Sequence, residues 1–70
     1  MINHDMHLFA LINKKEQKNT LIAEGVEFTN GRCILNWLTV FKTTAIYGNR
    51  EEMEEIYGRH ENIEIIWLYK

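Results

Sequence analysis

Hydrophobic and polar residues alternate in several short stretches of this chain, and each stretch predicts a β-strand. The first is an apolar run over residues 7–12. It is followed by a polar loop over residues 13–20 that contains no hydrophobic residue and three lysines. The same criteria predict four further strands, over residues 21–28, 32–38, 43–47 and 63–69.

The second and third strands are joined by Asn30 and Gly31, the dipeptide that best adopts the two positive φ angles of a type I′ turn. A two-residue turn places Phe28 opposite Cys33. Gly25, inside the second strand, indicates a bulge or a close approach of another chain segment. Side-chain alternation then predicts two faces. The core face comprises Val26, Phe28, Cys33, Leu35 and Trp37, and the other comprises Glu27, Ile34, Asn36 and Leu38.

One helix is predicted after the fourth strand. Asn49 is a suitable N-cap, and Glu52, three residues later, completes a capping box. Gly58 is expected to end the helix in the left-handed conformation that glycine adopts readily. The helical spacing of the apolar residues predicts one buried stripe, formed by Met53, Ile56 and Tyr57.

The resulting order, β-β-β-β-α-β, predicts an α+β fold: a mostly antiparallel five-stranded sheet with one short helix across one face. The length of the chain predicts that residues 1–70 form a single small domain. The pattern leaves the orientation of the last strand open.

Two of the predicted strands are apolar on both faces, although a sheet face exposed to water normally carries polar residues. One short helix covers only one face, so we expect a homo-oligomer that buries the second face. Scattered exposed apolar residues on a monomer are the alternative. The expectation rests on the second-face residues Ile34, Leu38, Ile66 and Leu68.

The net charge and the cysteine content limit the classes of partner and the cellular compartment that we expect for this protein. A formal net charge of −2 gives no direct evidence for nucleic-acid binding. The single cysteine, Cys33, excludes an intrachain disulfide and fits a reducing compartment. The chain has neither an apolar run of membrane-spanning length nor the basic-then-apolar pattern of a signal peptide, so we expect a cytoplasmic protein without a membrane partner.

Most candidate chemistry has a structural explanation. The chain contains no serine, which excludes a Ser-His-Asp triad. Cys33 is predicted on the core face, where a thiol is usually inert. His4 and His7 are interpreted as a surface pair rather than a metal site. We therefore expect no enzyme, metal or cofactor, and we interpret the helix acids Glu51, Glu52, Glu54 and Glu55 as a solvated face.

One group of residues remains a candidate ligand site. Arginine and histidine beside hydroxyl groups can hold a phosphate or a carboxylate. The alternative is that the basic residues after the helix only complement its dipole. The candidate residues are Arg32, Thr44, Tyr57, Arg59 and His60.

A pattern over residues 25–68 resembles a class of very short accessory proteins of bacteriophages and their hosts. It reads Gly25-x-x-Phe28-x-x-Gly31, Trp37-Leu38, Thr44-x-Ile46-Tyr47, Glu51-Glu52-Met53-Glu54-x-Ile56-x-Gly58 and Ile66-Trp67-Leu68. The pattern contains no catalytic residue that carries over. The resemblance implies an accessory or anti-defence protein in the host cytoplasm, one that sequesters a signalling nucleotide or, alternatively, inhibits a host protein stoichiometrically.

Overall fold

A computed structural model describes residues 6–15, 18–40 and 42–68. The elements occur in the predicted order. They are β1 (His7–Asn13), β2 (Thr20–Glu27), β3 (Cys33–Trp37), β4 (Thr44–Tyr47), α1 (Arg50–Tyr57) and β5 (Ile63–Leu68).

The strands form one sheet in the spatial order β4-β3-β2-β1-β5. Every neighbouring pair is antiparallel, so β5 lies antiparallel to β1 at one edge of the sheet. The first four strands are therefore a meander, and α1 carries the chain from the β4 edge to the β5 edge. The predicted α+β fold and its element order are confirmed.

One side of the sheet, the covered face, packs against α1. Its fully buried sheet residues lie on β1, β2 and β3, and Met53 of α1 is buried on top of them. Two half-buried aromatic side chains, Trp37 and Trp67, pack against this cluster. The buried sheet residues are Phe9, Leu11, Ala23, Cys33, Leu35 and, half-buried, Ile65.

The connection between β2 and β3 is a three-residue loop rather than a two-residue turn. The Phe28 N–H donates to the Arg32 carbonyl at 2.8 Å, and the Gly31 N–H donates to the Phe28 carbonyl at 2.9 Å. Gly31 alone has a positive φ, of 92°, among the glycines of the described chain. The Asn30 side chain accepts from the Arg32 N–H at 3.0 Å. These features are typical of a type I turn closed by a glycine bulge, which Asn-Gly also permits.

The predicted hairpin register is therefore wrong by one residue. Cys33 pairs with Glu27 rather than with Phe28, and Val26 pairs with Ile34. Because a shift of one residue moves a strand's side chains to the opposite face, Glu27 lies on the covered face. Val26 lies on the other face, and alternation groups Phe28 with it. The residues of β3 keep the faces predicted for them.

Gly25 has the close approach that its position in β2 predicts. A Cβ atom there would lie 2.3 Å from Cζ of Phe9 and 2.8 Å from the Ile34 carbonyl oxygen. The ring of Phe9 thus occupies the space that a side chain would fill. The irregularity of β2 lies elsewhere: the register with β1 shifts between Leu11 and Ile12, where Ile22 is the extra residue of β2.

The N-terminus of α1 is capped as predicted. Oδ1 of Asn49 accepts from the Glu52 N–H at 2.8 Å. Oε2 of Glu52 accepts from the Gly48 N–H at 2.8 Å, so the reciprocal bond of the box reaches one residue further back.

The C-terminal half of α1 differs from prediction. Gly58 has φ −66°, which is right-handed, and its N–H donates to the Glu54 carbonyl at 2.8 Å. The expected left-handed cap is therefore wrong. Ile56 is 50% exposed, so the buried stripe consists of Met53 and half-buried Tyr57.

The other side of the sheet, the open face, is covered by no helix of the described residues. Alternation from the pairing registers gives it Leu8, Leu21, Ile46 and Leu68, all exposed, among half-buried Ala10, Ile12, Val26, Ile34 and Ile66. None of the described residues forms a helix long and apolar enough to cross a membrane.

Candidate functional site

A network of charged side chains lies at the end of the covered face where α1 begins. Glu27 and His7 are directly opposite each other on β2 and β1. Arg50, the first residue of α1, donates to both carboxylate oxygens of Glu27, at 3.1 Å from Nε and 2.7 Å from Nη2. Nδ1 of His7 lies 3.0 Å from Oε1. The Cζ atom of Arg50 lies 3.8 Å from the ring centroid of Trp67, a cation–π geometry.

The electrostatics of this network favour an ionised carboxylate. The hydrogen bonds from Arg50 hold the pKa of the Glu27 carboxyl below its usual value, and partial burial of the group acts in the opposite direction. The Glu27 side chain is only 14% exposed. Since both oxygens are bound by chain partners, we interpret the network as the attachment of α1 to the sheet rather than as a reaction centre.

The sequence prediction missed this network because the hairpin register placed Glu27 on the wrong face. The available signal was the ambiguity of Asn30-Gly31, which also suits a three-residue loop. A two-residue turn would leave Glu27 on the open face, whereas the three-residue loop places it on the covered face.

A second polar contact lies further along α1. The hydroxyl groups of Tyr47 and Tyr57 are 2.6 Å apart, and the Tyr57 ring meets Trp37 edge-on at a centroid distance of 5.6 Å. Burial raises the pKa of Tyr57, and the hydrogen bond with Tyr47 raises it further. Tyr57 is therefore a neutral phenol engaged in packing.

The structure groups three of the five candidate ligand residues. Tyr57, Arg59 and His60 follow one another at the end of α1, where the His60 N–H donates to the Tyr57 carbonyl. Arg59 is exposed and forms an ion pair with Glu55. His60 is exposed.

The other two candidates lie apart from each other. Arg32 follows the β2–β3 loop, next to Cys33, whose partner on β4 is Tyr47. Thr44 is at the opposite end of β4, paired with Asn36.

The remaining candidate chemistry is limited. Cys33 is fully buried, and this burial raises the pKa of its thiol. His4 lies outside the described residues. Among the residues that are described, no three metal-binding side chains come together.

The open face contains a shallow apolar groove of about 400 Å³. Its side walls come from β1, β2 and β5, with Leu8, Leu21 and Leu68 among the lining residues. Glu24, exposed at the middle of the central strand, is the one charged residue in the lining. It forms no ion pair with any residue in the described part of the chain.

The fold and these sites define a small α+β sheet-and-helix protein with a charged attachment point under its helix and an apolar open face. A family model described as "Acb5 phage protein" matches residues 19–69, well over half of the chain. The chain belongs to the Acb5 phage protein family, which confirms the predicted resemblance to small phage accessory proteins. No curated protein and no solved structure matches the chain.

Proposed function

We propose that this phage protein is a non-enzymatic binding module that associates with copies of itself through the open face and acts by stoichiometric sequestration. The open face carries this proposal. Four large apolar side chains are about half or more exposed there: Ile46 65%, Leu8 56%, Leu68 52% and Leu21 47%. A contiguous apolar patch of this kind marks an interaction surface more often than a solvated one.

The polar groups of the covered face are engaged with one another, which supports a binding role rather than catalysis. Arg50 and His7 both bind the carboxylate of Glu27. The thiol of Cys33 is buried. A buried reduced cysteine also fits the cytoplasm of the infected cell, where we propose that the protein acts.

A signalling nucleotide of host defence is the first ligand class that we propose. Arg59 and His60 supply exposed cationic and hydrogen-bonding groups at the end of α1. Arg32 is exposed beside the β2–β3 loop, and in the proposed assembly a second copy brings its Arg32 to the same ligand. The proposed site is therefore at a boundary between copies, where phosphate groups can be bound by arginine from both sides.

Native mass spectrometry of gently purified protein tests the oligomer and the ligand together. We expect a dimer or higher assembly, and a small added mass would identify the class of ligand. Leu8→Glu should dissociate the assembly, whereas Ile56→Glu, at similar exposure on α1, should leave it intact. A monomer at every concentration would refute the proposed oligomer.

The ligand class has its own test. Titration calorimetry with a panel of linear and cyclic nucleotides should show binding that Arg59→Ala abolishes while the circular dichroism spectrum is unchanged. The matched control Lys18→Ala should bind normally. Equal affinity of both variants would contradict a site at Arg59.

A host protein is the second ligand class. Exposed acids and the exposed Ile56 share the outer surface of α1, and such a mixed surface favours protein contacts. If a host protein binds there, reversing Glu54 and Glu55 to lysine should release it in a pull-down. Because Glu55 also forms the ion pair with Arg59, the control for nucleotide binding is Glu54→Lys alone, which should leave that binding unchanged.

A further inference from the structure

An unbroken row of apolar side chains, the apolar row, crosses the open face from one edge of the sheet to the other. Each strand contributes one residue, and neighbours in the row are cross-strand partners. In spatial order the row consists of Ile46, Ile34, Val26, Leu8 and Leu68. A second copy that covers the open face has to cover this row.

Two opposite charges flank the apolar row on neighbouring strands. Glu24 precedes Val26 by two residues on β2, and Arg32 precedes Ile34 by two residues, directly before β3 begins. Because β2 and β3 are antiparallel, the two charges lie on opposite sides of the row, each roughly 7 Å from it. A separation of roughly 14 Å along the strands is too large for a salt bridge within one chain.

Arg32 extends the open face by one residue beyond β3. Its carbonyl accepts from the Phe28 N–H at 2.8 Å, which continues the antiparallel pairing of the hairpin. Cys33 is buried on the covered face, so alternation turns the Arg32 side chain to the open face. Arg32 and Glu24 are both exposed, and neither forms an ion pair with any residue that the structure describes.

The direction of a two-fold axis decides whether these charges attract or repel each other between two copies. With an axis along β2, each Glu24 would lie over Glu24 of the second copy, and like charges would be buried together. With an axis along the apolar row, across the strands, the side of the row that carries Glu24 lies over the side that carries Arg32. Of these two orientations, only the second makes the charge pattern of the open face complementary to itself.

The distances in this second orientation suit a salt bridge. Packed sheets lie roughly 10 Å apart and neighbouring strands roughly 4.8 Å apart, so the Cα atoms of Glu24 and Arg32 from the two copies would be roughly 11 Å apart. An extended arginine and a glutamate together reach across such a gap. A guanidinium has five N–H donors and a bidentate carboxylate uses two, so the contact is compatible with the ligand role proposed for Arg32.

We infer that two copies pack their open faces together about a two-fold axis along the apolar row, so that Glu24 of each copy pairs with Arg32 of the other. The inference rests on the proposed self-association through the open face. The two salt bridges are related by symmetry and lie on either side of an apolar centre. Each residue of the row then faces the same residue of the second copy.

Charge reversal tests the pairing. Glu24→Arg and Arg32→Glu should each weaken self-association by about tenfold or more in sedimentation equilibrium, because each variant places like charges opposite each other. The double variant restores both pairs with the charges exchanged, so its dissociation constant should return to within about threefold of the wild-type value. Glu61→Arg, an exposed charge reversal outside the open face, should have little effect.

Cross-linking tests the direction of the axis. In the inferred arrangement Ile46 faces Ile46 of the second copy, so a short bis-maleimide should convert Ile46→Cys into covalent dimers. With an axis along the strands, Ile46 would lie over Leu68 and roughly 19 Å from its own counterpart, beyond the reach of the reagent. The wild-type protein, whose Cys33 is buried, is the control and should give no covalent dimer.

The outcomes separate this inference from the proposed function. A wild-type protein that stays monomeric up to millimolar concentration refutes self-association and the pairing with it. A wild-type oligomer that survives both single reversals, a double variant as weak as the singles, or an Ile46→Cys oligomer without covalent dimers refutes the arrangement and leaves self-association standing. All substituted side chains are exposed, and circular dichroism checks that each variant is folded.

Discussion

The two faces of β2 each carry one carboxylate, and the two carboxylates have opposite surroundings. Glu27, on the covered face, is bound by Arg50 and His7 and has little contact with water. Glu24, three residues earlier on the open face, is exposed and unpaired among the described residues. The comparison shows that α1 brings both the apolar cover and the cation to one face. The open face also has apolar residues, but the described part of the chain supplies neither a cover nor a bound cation for them.

The largest expected difference between the two faces is the loss of stability when a leucine on each face is replaced by alanine. Leu35→Ala, at a fully buried position of β3, should lower the free energy of unfolding by about 2–5 kcal/mol. Leu8→Ala on the open face should cost less than about 1 kcal/mol in dilute protein, because the side chain is already largely in water. Urea denaturation measures both. At concentrations where copies associate, the Leu8 variant should lose more stability than it does in dilute solution.

The carboxylates provide the next comparison. Glu27→Gln should destabilise the protein by about 1–3 kcal/mol, since it removes a charged acceptor from a partly buried cation. Glu24→Gln should have little effect on the monomer. Equal losses for the two variants would mean that Glu27 is not the attachment point of α1.

The two carboxylates, Glu27 and Glu24, also predict different dependences of stability on pH. The pKa of Glu27 is lowered in the folded state, so its contribution is complete above the unfolded value, near 4.5, and is lost as the pH falls through the folded value. Unfolding midpoints between pH 6 and pH 2, an interval that spans the titration of a carboxyl group, should therefore decline less steeply for Glu27→Gln than for Glu24→Gln. Parallel curves would contradict the assignment.

The smallest effect concerns the hydroxyl pair at the other end of α1. Tyr57→Phe should cost about 0.5–1.5 kcal/mol, the usual net value of one hydrogen bond. Burial raises the pKa of Tyr57, so its contribution is complete below the unfolded value of 10.0 and is lost as the pH rises above it. Unfolding temperatures measured from pH 8 to pH 11, on either side of the tyrosine pKa, should fall for the wild-type protein. They should fall less for Tyr57→Phe.

Local signals predicted the fold well because they depend on neighbouring residues. Alternation located all five strands, and Asn49 with Glu52 located the start of α1. The candidate site depends on pairing between distant residues. Asn30-Gly31 is compatible with two loop lengths, and the choice between them decides whether Glu27 or Val26 lies under the helix. Glycine at position 58 permits a left-handed cap without requiring one, because the following residues continue in tight turns.

The attachment of α1 also determines when the helix can form. Eight residues are too few for a helix that is stable alone in water. Arg50 binds Glu27, 23 residues earlier in the chain, and stacks on Trp67 in the last strand. An isolated peptide of residues 48–60 should accordingly show little helix by circular dichroism. We therefore expect α1 to form late in folding, after β2 and β5 have reached opposite sides of β1.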